Sequence, residues 1–262
     1  MGTFTVDGKS ARVWRQGTGR PLLYLHSGFG EVGALPFFAA LADAGFGVVA
    51  PELPGFGRSD PAPDWHRIED AAFHLRRTCE ALALPRCTVV GSSLGGWLAA
   101  ELAVWFPERV SSLVLVDAVG LRVDGAPVFD LFAARQGELL QAVFPHGGDL
   151  PAMIAPAIAG SDDDNAVLLH FFHAMEATAR IGWNPYLHDP KLLARLPLVS
   201  APTLAVWGGD DRVVPLAHGE TYAGAIPGAR LAVLDGCGHL PVLERPDEVA
   251  ALVASSVAVG AS

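Results

Sequence analysis

The chain has 262 residues, of which 51% are hydrophobic and 18% charged, and its formal net charge is −10 at pH 7. This length suits one globular domain, or one domain with an insertion, and the apolar content excludes a disordered chain. The negative charge and the lack of any basic run argue against nucleic-acid binding. Three cysteines, Cys79, Cys87 and Cys237, are too few and too scattered for a disulfide framework or a thiolate metal site, so we interpret them as small buried side chains.

The amino terminus lacks the apolar stretch that a secretory signal peptide requires. No uninterrupted apolar run in the sequence is long enough to span a bilayer. We therefore expect a soluble, cytoplasmic protein with no membrane partner. The sequence gives no information on the oligomeric state.

In chain order, the first 60 residues predict strands and one helix. Two short apolar segments, 11–14 and 21–25, flank Gln-Gly-Thr-Gly-Arg in the pattern of a hairpin-like pair. The second continues into a glycine loop, and residues 37–44 are then predicted to be helical. A further buried strand, FGVVAP, ends at Pro51 in a Pro/Gly loop.

The same alternation continues beyond this loop. A helix is predicted over 68–84, followed by the strand RCTVVG and by a helix that ends at Phe106. The runs SSLVLVDAV, APTLAVWGGDD and ARLAVLDGCGH predict three more strands, and a closing helix begins at Pro246. Continuous apolar strands that alternate with helices are typical of an α/β fold, with a mostly parallel, doubly wound sheet covered on both faces.

Residues 121–195 interrupt this alternation. They contain no strand-like run but two apolar stretches with helical periodicity, FDLFAARQGELLQAVF and NAVLLHFFHAMEATA. We predict that 121–195 form a helical cap, or lid, inserted into a core made of 1–120 and 196–262. The large cap side chains are expected to pack the cap and to line an apolar pocket: Phe129, Phe132, Phe144, Met153, Phe171, Phe172, Met175, Trp183 and Tyr186.

The segment Gly91-Ser92-Ser93-Leu94-Gly95 fits G-x-S-x-G, a sharp turn between a strand and a helix that exposes the middle serine. The motif alone is weak, but a strand is predicted before it and a helix after it, which favours Ser93 as a nucleophile. A serine hydroxyl needs a base, and the base needs an orienting carboxylate. Asp211 and His239 follow the fifth and sixth buried strands, and therefore belong to the same sheet edge as Ser93.

These residues carry a resemblance to the α/β-hydrolase superfamily, over essentially the whole chain outside the insertion. YLHSGFG resembles the family's His-Gly-x loop, APELPGFGRSD its Asp-x-x-Gly-x-Gly-x-Ser loop, and WGGDDRVVP and GCGH its acid and histidine signatures. The resemblance implies an α/β-hydrolase fold and a Ser93–His239–Asp211 triad, and it selects Asp211 over Asp210. Asp117, after the fourth buried strand, is the rival acid, since some relatives place the acid there.

The resemblance also implies an oxyanion hole built from two backbone amides, those of Leu94 and Gly28. Phe29 is the alternative to Gly28 if the register of the loop slips by one residue. Two departures from the family pattern affect this region: Ser27 stands where a glycine is usual, and Glu52 where an aspartate is usual.

Other polar residues receive structural interpretations. His170 and His173 lie three residues apart on a predicted helix without acidic or thiol partners nearby, so we interpret them as cap packing rather than metal ligands. His188 and Asp189 fit a turn or a helix cap. We expect neither a metal nor a cofactor.

The implied activity is acyl transfer through an acyl-enzyme, with a small, hydrophobic carboxylic ester or lactone as the substrate. Phe132, Trp183 and Leu240 are the candidates for the substrate pocket. Carbon–carbon bond hydrolases of aromatic ring-cleavage products are an alternative, although they resemble one another in a Trp after the histidine and an Asn before the nucleophile. Here those positions hold Leu240 and Ser92. A small-molecule receptor on the same fold is a further alternative.

Overall fold

The computed structural model describes residues 1–148 and 166–259. Its centre is an eight-stranded sheet with the order β1-β2-β4-β3-β5-β6-β7-β8. The strands are β1 (Gly2–Val6), β2 (Lys9–Gln16), β3 (Arg20–Leu25), β4 (Phe46–Pro51), β5 (Cys87–Ser92), β6 (Val110–Val116), β7 (Thr203–Gly208) and β8 (Arg230–Leu234). Strands β3 to β8 pair in parallel, and β1 and β2 join the sheet antiparallel at one edge.

The predicted hairpin between 11–14 and 21–25 is wrong. Strand β2 pairs antiparallel with β4, and β3 lies on the far side of β4, so β2 and β3 are not neighbours. The hairpin partner of β2 is β1, a strand that the sequence analysis missed because its GTFTV sequence is short and largely exposed. The chain does reverse between β2 and β3, as the turn residues predicted, but β4 lies between the two strands, so the reversal forms no hairpin.

The described helices are α1 (Pro36–Asp43), α2 (Ile68–Ala81), α3 (Leu94–Trp105), α4 (Gln136–Val143), α5 (Ala166–Gly182), α6 (Leu192–Arg195), α7 (Ala217–Ala225), α8 (Pro241–Glu244) and α9 (Pro246–Val259). They cover both faces of the sheet. Along β3, Leu22 and Tyr24 face one apolar cluster with α1 and α9, while Leu23 and Leu25 face the other with α2 and α3. Successive strand residues thus bury opposite faces, which confirms the α/β class and the doubly wound sheet.

Residues 121–195 contain two longer helices in their described part, and the first is shorter than its periodicity predicted. Residues 129–135 precede α4 and are not helical, because the Asp130 carboxylate accepts hydrogen bonds from the amides of Phe132 and Ala133 and closes a turn. Helix α5 spans the second apolar stretch. Met153 lies outside the described residues. The cap boundaries stay predictions.

Among residues 1–148 and 166–259, no helix combines the length and the apolar character needed to cross a membrane.

Candidate active site

Ser93 stands at a sharp turn between β5 and α3. Its backbone has φ 51° and ψ −110°, a conformation that non-glycine residues rarely adopt. The turn is crowded: a Cβ at Gly91 would lie 2.1 Å from the Gly95 carbonyl oxygen, and one at Gly95 2.1 Å from that of Leu25. The Ser93 amide donates to the Val116 carbonyl oxygen on β6 at 2.8 Å, which fixes the turn to the sheet. The glycines therefore permit the turn, and the strained residue is the serine.

Two further side chains reach Ser93 from the same sheet edge. His239, in the loop after β8, lies with Nε2 2.9 Å from Ser93 Oγ and Nδ1 2.8 Å from Asp211 Oδ2. Asp211 follows β7, and its other oxygen accepts hydrogen bonds from the amides of Val213 and Val214. The carboxylate can only accept, so His239 carries its proton on Nδ1 and offers Nε2 as an acceptor for the serine hydroxyl. The His239 amide donates to the Val143 carbonyl oxygen at the end of α4.

Asp117 lies beside this pair but makes a different contact. One Asp117 carboxylate oxygen lies within 4.8 Å of an Asp211 carboxylate oxygen and of a His239 ring nitrogen. Asp117 Oδ1, however, accepts a hydrogen bond from the Gly208 amide. Oδ2 has no hydrogen-bond partner among the described residues. Burial, and then the nearby Asp211 carboxylate, raise the pKa of Asp117 well above its ordinary value. Of the two acids, Asp211 holds the histidine, and the neighbouring Asp210 instead pairs with His146 at the surface.

The backbone at the end of β3, where the next loop begins, lies close to the turn that carries Ser93, since a Cβ at Gly95 would be 2.6 Å from the His26 carbonyl oxygen. His26 Nδ1 and the Gly30 amide both donate to the Ser27 carbonyl oxygen, at 2.7 and 3.1 Å, and the Phe29 amide donates to Ser27 Oγ at 3.0 Å. The Gly28 amide has no acceptor among the described residues. Of the two candidate amides, that of Gly28 is therefore free among the described residues, and that of Phe29 is already used.

A buried network behind this loop was missed by sequence reasoning. Glu31 Oε1 accepts from the Tyr24 hydroxyl at 2.8 Å and from the Ser27 amide at 2.7 Å, and Oε2 accepts from Ser27 Oγ at 2.5 Å. Burial and the Glu31 charge raise the pKa of Tyr24 well above its ordinary value. Ser27, which replaces the family's glycine, thus links Glu31 to the Phe29 amide. The only signal in the sequence was that unusual serine.

His26 joins this loop to the one after β4. The Leu53 amide donates to His26 Nε2 at 3.0 Å, and the ring is fully buried, which lowers the pKa of His26. In the second loop, Glu52 accepts from the Arg58 amide at 3.0 Å and lies 3.6 Å from the Arg12 guanidinium. Glu52 therefore has a structural role where the family usually has aspartate.

A family model described as the alpha/beta hydrolase fold matches residues 21–246. The chain belongs to the α/β-hydrolase family. Among its relatives, 2-hydroxy-6-oxo-6-phenylhexa-2,4-dienoate hydrolase of Comamonas testosteroni is 30% identical over 251 residues, covering 88% of this chain and 85% of that protein. An uncharacterised protein of Mycobacterium tuberculosis is 31% identical over 262 residues, covering 92% and 76%.

Solved structures agree with this assignment. A membrane phospholipase A, described as a bacterial virulence factor, superposes with a TM-score of 0.81 at 26% identity, covering 99% of this chain and 86% of that one. The family match and the hydrolase-named relatives identify this α/β-hydrolase as an enzyme of the hydrolase class. The expectation of an α/β-hydrolase fold is confirmed.

The remaining predicted residues of the hydrolase lie in several environments. Phe132 packs against Trp183 and Tyr186, and Trp183 is 62% exposed, while Leu240 is fully buried next to His239. A pocket role for Phe132, Trp183 and Leu240 stays a prediction. Asp189 accepts from the Lys191 amide, as expected of a turn, and also binds Arg195 at 2.6 Å. The three cysteines are buried and unpaired.

Proposed function

We propose that the enzyme is a serine hydrolase that cleaves a small, hydrophobic carboxylic ester or lactone through an acyl-enzyme. The observation that carries the proposal is the continuous chain of contacts from Ser93 Oγ through the His239 ring to Asp211, at 2.9 and 2.8 Å. All three residues are buried. Exclusion of water strengthens both hydrogen bonds, so the serine, its base and the orienting acid are assembled before a substrate arrives.

In the first step, Ser93 Oγ attacks the substrate carbonyl carbon while His239 Nε2 takes the hydroxyl proton. Asp211 holds the ring through Nδ1 and stabilises the imidazolium that forms. The two Asp211 contacts to the Val213 and Val214 amides keep its carboxylate in place. His239 then passes the proton to the leaving oxygen, and the acyl group stays on Ser93.

The negative charge on the carbonyl oxygen requires donors that are already oriented. We assign this role to the amides of Gly28 and Leu94. Leu94 is the first residue of α3, where an amide has no partner inside the helix and the helix dipole favours negative charge. Gly28, in the loop after β3, supplies an amide that has no acceptor among the described residues. Water, activated by His239, then releases the acid from Ser93 by the reverse proton path.

Carbon–carbon bond cleavage is the second candidate, because a relative with 30% identity is named as a hydrolase of a 2-hydroxy-6-oxo-dienoate. In that reaction Ser93 Oγ would attack the ketone carbonyl carbon and His239 would take the hydroxyl proton. The carbon–carbon bond would then break, and the carbon leaving group would take up a proton. Leu240 after the histidine and Ser92 before the nucleophile favour ester cleavage, since both differ from the residues that carbon–carbon hydrolases share.

The test compares wild type with Ser93→Ala on nitrophenyl esters of increasing acyl length and on a 2-hydroxy-6-oxo-dienoate. Multiple turnovers of an ester by wild type, lost in Ser93→Ala, support the proposal, and the best acyl length measures the pocket. Turnover of the dienoate alone would replace ester cleavage by carbon–carbon cleavage. Tight binding of either compound with no turnover would contradict both ester cleavage and carbon–carbon cleavage. It would favour the hypothesis of a small-molecule receptor.

Ser92→Ala is the matched control for the Ser93 variant. Ser92 is the adjacent buried serine, and among the described residues its hydroxyl makes no hydrogen bond to Ser93 or His239. The Ser92→Ala variant should retain most of the activity, because neither the nucleophile nor its base is changed. Equal loss in both variants would mean that the turn itself had been disrupted.

A further inference from the structure

Helix α5 of residues 121–195 is in direct contact with the loop that carries the Gly28 amide. Thr178 Oγ1 donates to the Gly28 carbonyl oxygen at 3.2 Å, and His170 Nε2 donates to that of Phe29 at 2.8 Å. The rings of Phe29 and Phe171 stack with centroids 5.9 Å apart. Three side chains over two to three turns of one helix therefore meet two consecutive residues of the loop.

The approach is close enough to constrain the loop sterically. A Cβ at Gly28 would lie 3.1 Å from Thr178 Oγ1, and one at Gly30 would lie 3.2 Å from His170 Nε2. Both side chains are themselves buried, with Thr178 1% and His170 8% exposed. Their hydrogen bonds are therefore shielded from water, and a lost donor would leave a buried carbonyl oxygen unsatisfied.

These contacts add to the hydrogen bonds that the loop makes within itself. The peptide unit that contains the Gly28 amide is planar, so holding the Ser27 carbonyl oxygen through His26 and Gly30 also orients the Gly28 N–H. Rotation about the Gly28 Cα is the freedom that remains, because glycine has no side chain to restrict it. Thr178 limits that rotation by binding the Gly28 carbonyl oxygen on the other side of the same Cα.

We propose that Thr178 and His170 are positioning residues that fix the Gly28 amide for oxyanion binding. This inference rests on the proposed function. If Thr178 and His170 have this role, helix α5 belongs to the catalytic centre, and the orientation of the Gly28 amide depends on the position of α5 relative to the loop.

The first test is Thr178→Val, which keeps the shape and removes the donor, against Thr178→Ser, which keeps the hydroxyl. Thr203→Val is the matched control, since Thr203 is also buried and donates to a backbone carbonyl oxygen, at the start of β7. For Thr178→Val we expect kcat on the best substrate to fall about tenfold with KM little changed, because a misplaced donor affects the transition state. Thr178→Ser should stay close to wild type.

The inhibition constant of a trifluoromethyl ketone distinguishes a positioning role of Thr178 from a purely structural one. The ketone forms an oxyanion adduct with a reactive serine, so its inhibition constant should weaken in Thr178→Val by about the same factor as kcat. His170→Phe, which lacks the donor, should behave like Thr178→Val, and His170→Gln, which can donate, should recover part of the loss. Inhibition and kcat in Thr178→Val within twofold of Thr203→Val would overturn the inference.

Backbone amide exchange separates this inference from the proposed function. Thr178→Val should speed exchange of the Phe29 and Gly30 amides, which donate within the loop, while Thr203→Val leaves them unchanged. A wild type that neither turns over substrate nor reacts with a fluorophosphonate at Ser93 contradicts the proposed function. Unchanged exchange in Thr178→Val contradicts the inference, whatever the activity.

Discussion

The two sides of Ser93 are built in different ways. On the histidine side, His239 and Asp211 bind each other through side chains that stand on loops after adjacent strands, β8 and β7. On the other side, the Gly28 amide is a backbone group whose direction depends on contacts made by its neighbours. Those contacts come from His26 and Ser27 nearby and from Thr178, which lies 150 residues away in the chain.

The histidine side depends on the chemical identity of its side chains, and the loop side depends on the orientation of a backbone group. The histidine side works through groups that only particular side chains supply, so a substitution there removes the chemistry itself. The loop side works through an amide that every residue except proline possesses, so a substitution there changes its position. The histidine side should therefore respond to mutation by orders of magnitude, and the loop side by smaller, graded amounts.

The largest effect is expected for Asp211→Asn. Both Asp211 oxygens accept hydrogen bonds, whereas asparagine has a single acceptor oxygen, which the Val213 and Val214 amides hold. Its NH₂ group then faces His239 Nδ1 and favours the tautomer protonated on Nε2, which cannot act as the base, so we expect kcat to fall by about 10³- to 10⁴-fold. Steady-state kinetics on the best ester measure this, with circular dichroism as a check on folding. Asp210→Asn is the control, because Asp210 is exposed and pairs with His146. Equal losses in the two variants would refute the assignment of the acid.

Gly28→Ala should have the next largest effect, on the loop side. The new methyl group would meet Thr178 Oγ1 at 3.1 Å, and relief of that contact shifts the amide. We expect kcat to fall about 10²-fold with a smaller change in KM, as for the loss of an oxyanion donor. Gly137→Ala is the control, because a Cβ there meets nothing within 4 Å and Gly137 lies in helix α4. An unchanged kcat in Gly28→Ala would show that another amide is the oxyanion donor.

The sequence was sufficient to predict the histidine side. Ser93, Asp211 and His239 stand in short motifs at the ends of apolar strands, and parallel strands bring those ends to one edge. The α/β class and most strands followed from the same apolar runs. The structure brings the three side chains together as the motifs predicted, and their catalytic roles remain a proposal.

The loop side could be predicted only in part. The choice between Gly28 and Phe29 depended on which amide is already hydrogen-bonded, and that depends on the Ser27 hydroxyl and on Glu31. His170 was interpreted as packing, yet its ring donates to the Phe29 carbonyl oxygen. Such contacts join distant segments with no shared motif, so periodicity and spacing carry no signal for them. The pairing of β2 with β4 was missed for the same reason.

Ser27→Ala should give an intermediate, graded loss on the loop side. It removes the acceptor of the Phe29 amide and one donor to the buried Glu31, but leaves the Ser27 carbonyl contacts intact. We expect about a tenfold fall in kcat, with the affinity for a trifluoromethyl ketone falling in parallel. Ser255→Ala, on the exposed face of α9, is the control. A fall as large as that of Asp211→Asn would show that the loop side is not graded.

The smallest effect on activity, and the sharpest test of the histidine side, is expected for Asp117→Asn. Asp117 is buried, and burial raises its pKa because the charged carboxylate is disfavoured there; asparagine is an uncharged group of the same shape. The amide oxygen can still accept from the Gly208 amide. We expect kcat to stay within about threefold of wild type, as for a residue outside the reacting groups. A loss comparable to Asp211→Asn would make Asp117 the working acid.

The same variant should change how stability depends on pH. Because the folded pKa of Asp117 is raised, the folded protein binds this proton more tightly than the unfolded chain does. Its contribution to stability is complete below the unfolded pKa of about 4 and is lost as pH rises towards the folded pKa. Asparagine does not titrate, so the variant does not lose this contribution. The free energy of unfolding of Asp117→Asn should therefore increase relative to that of wild type as pH rises above about 4. Urea denaturation of both proteins across this range measures the difference, and parallel curves would mean that folding does not raise the pKa of Asp117.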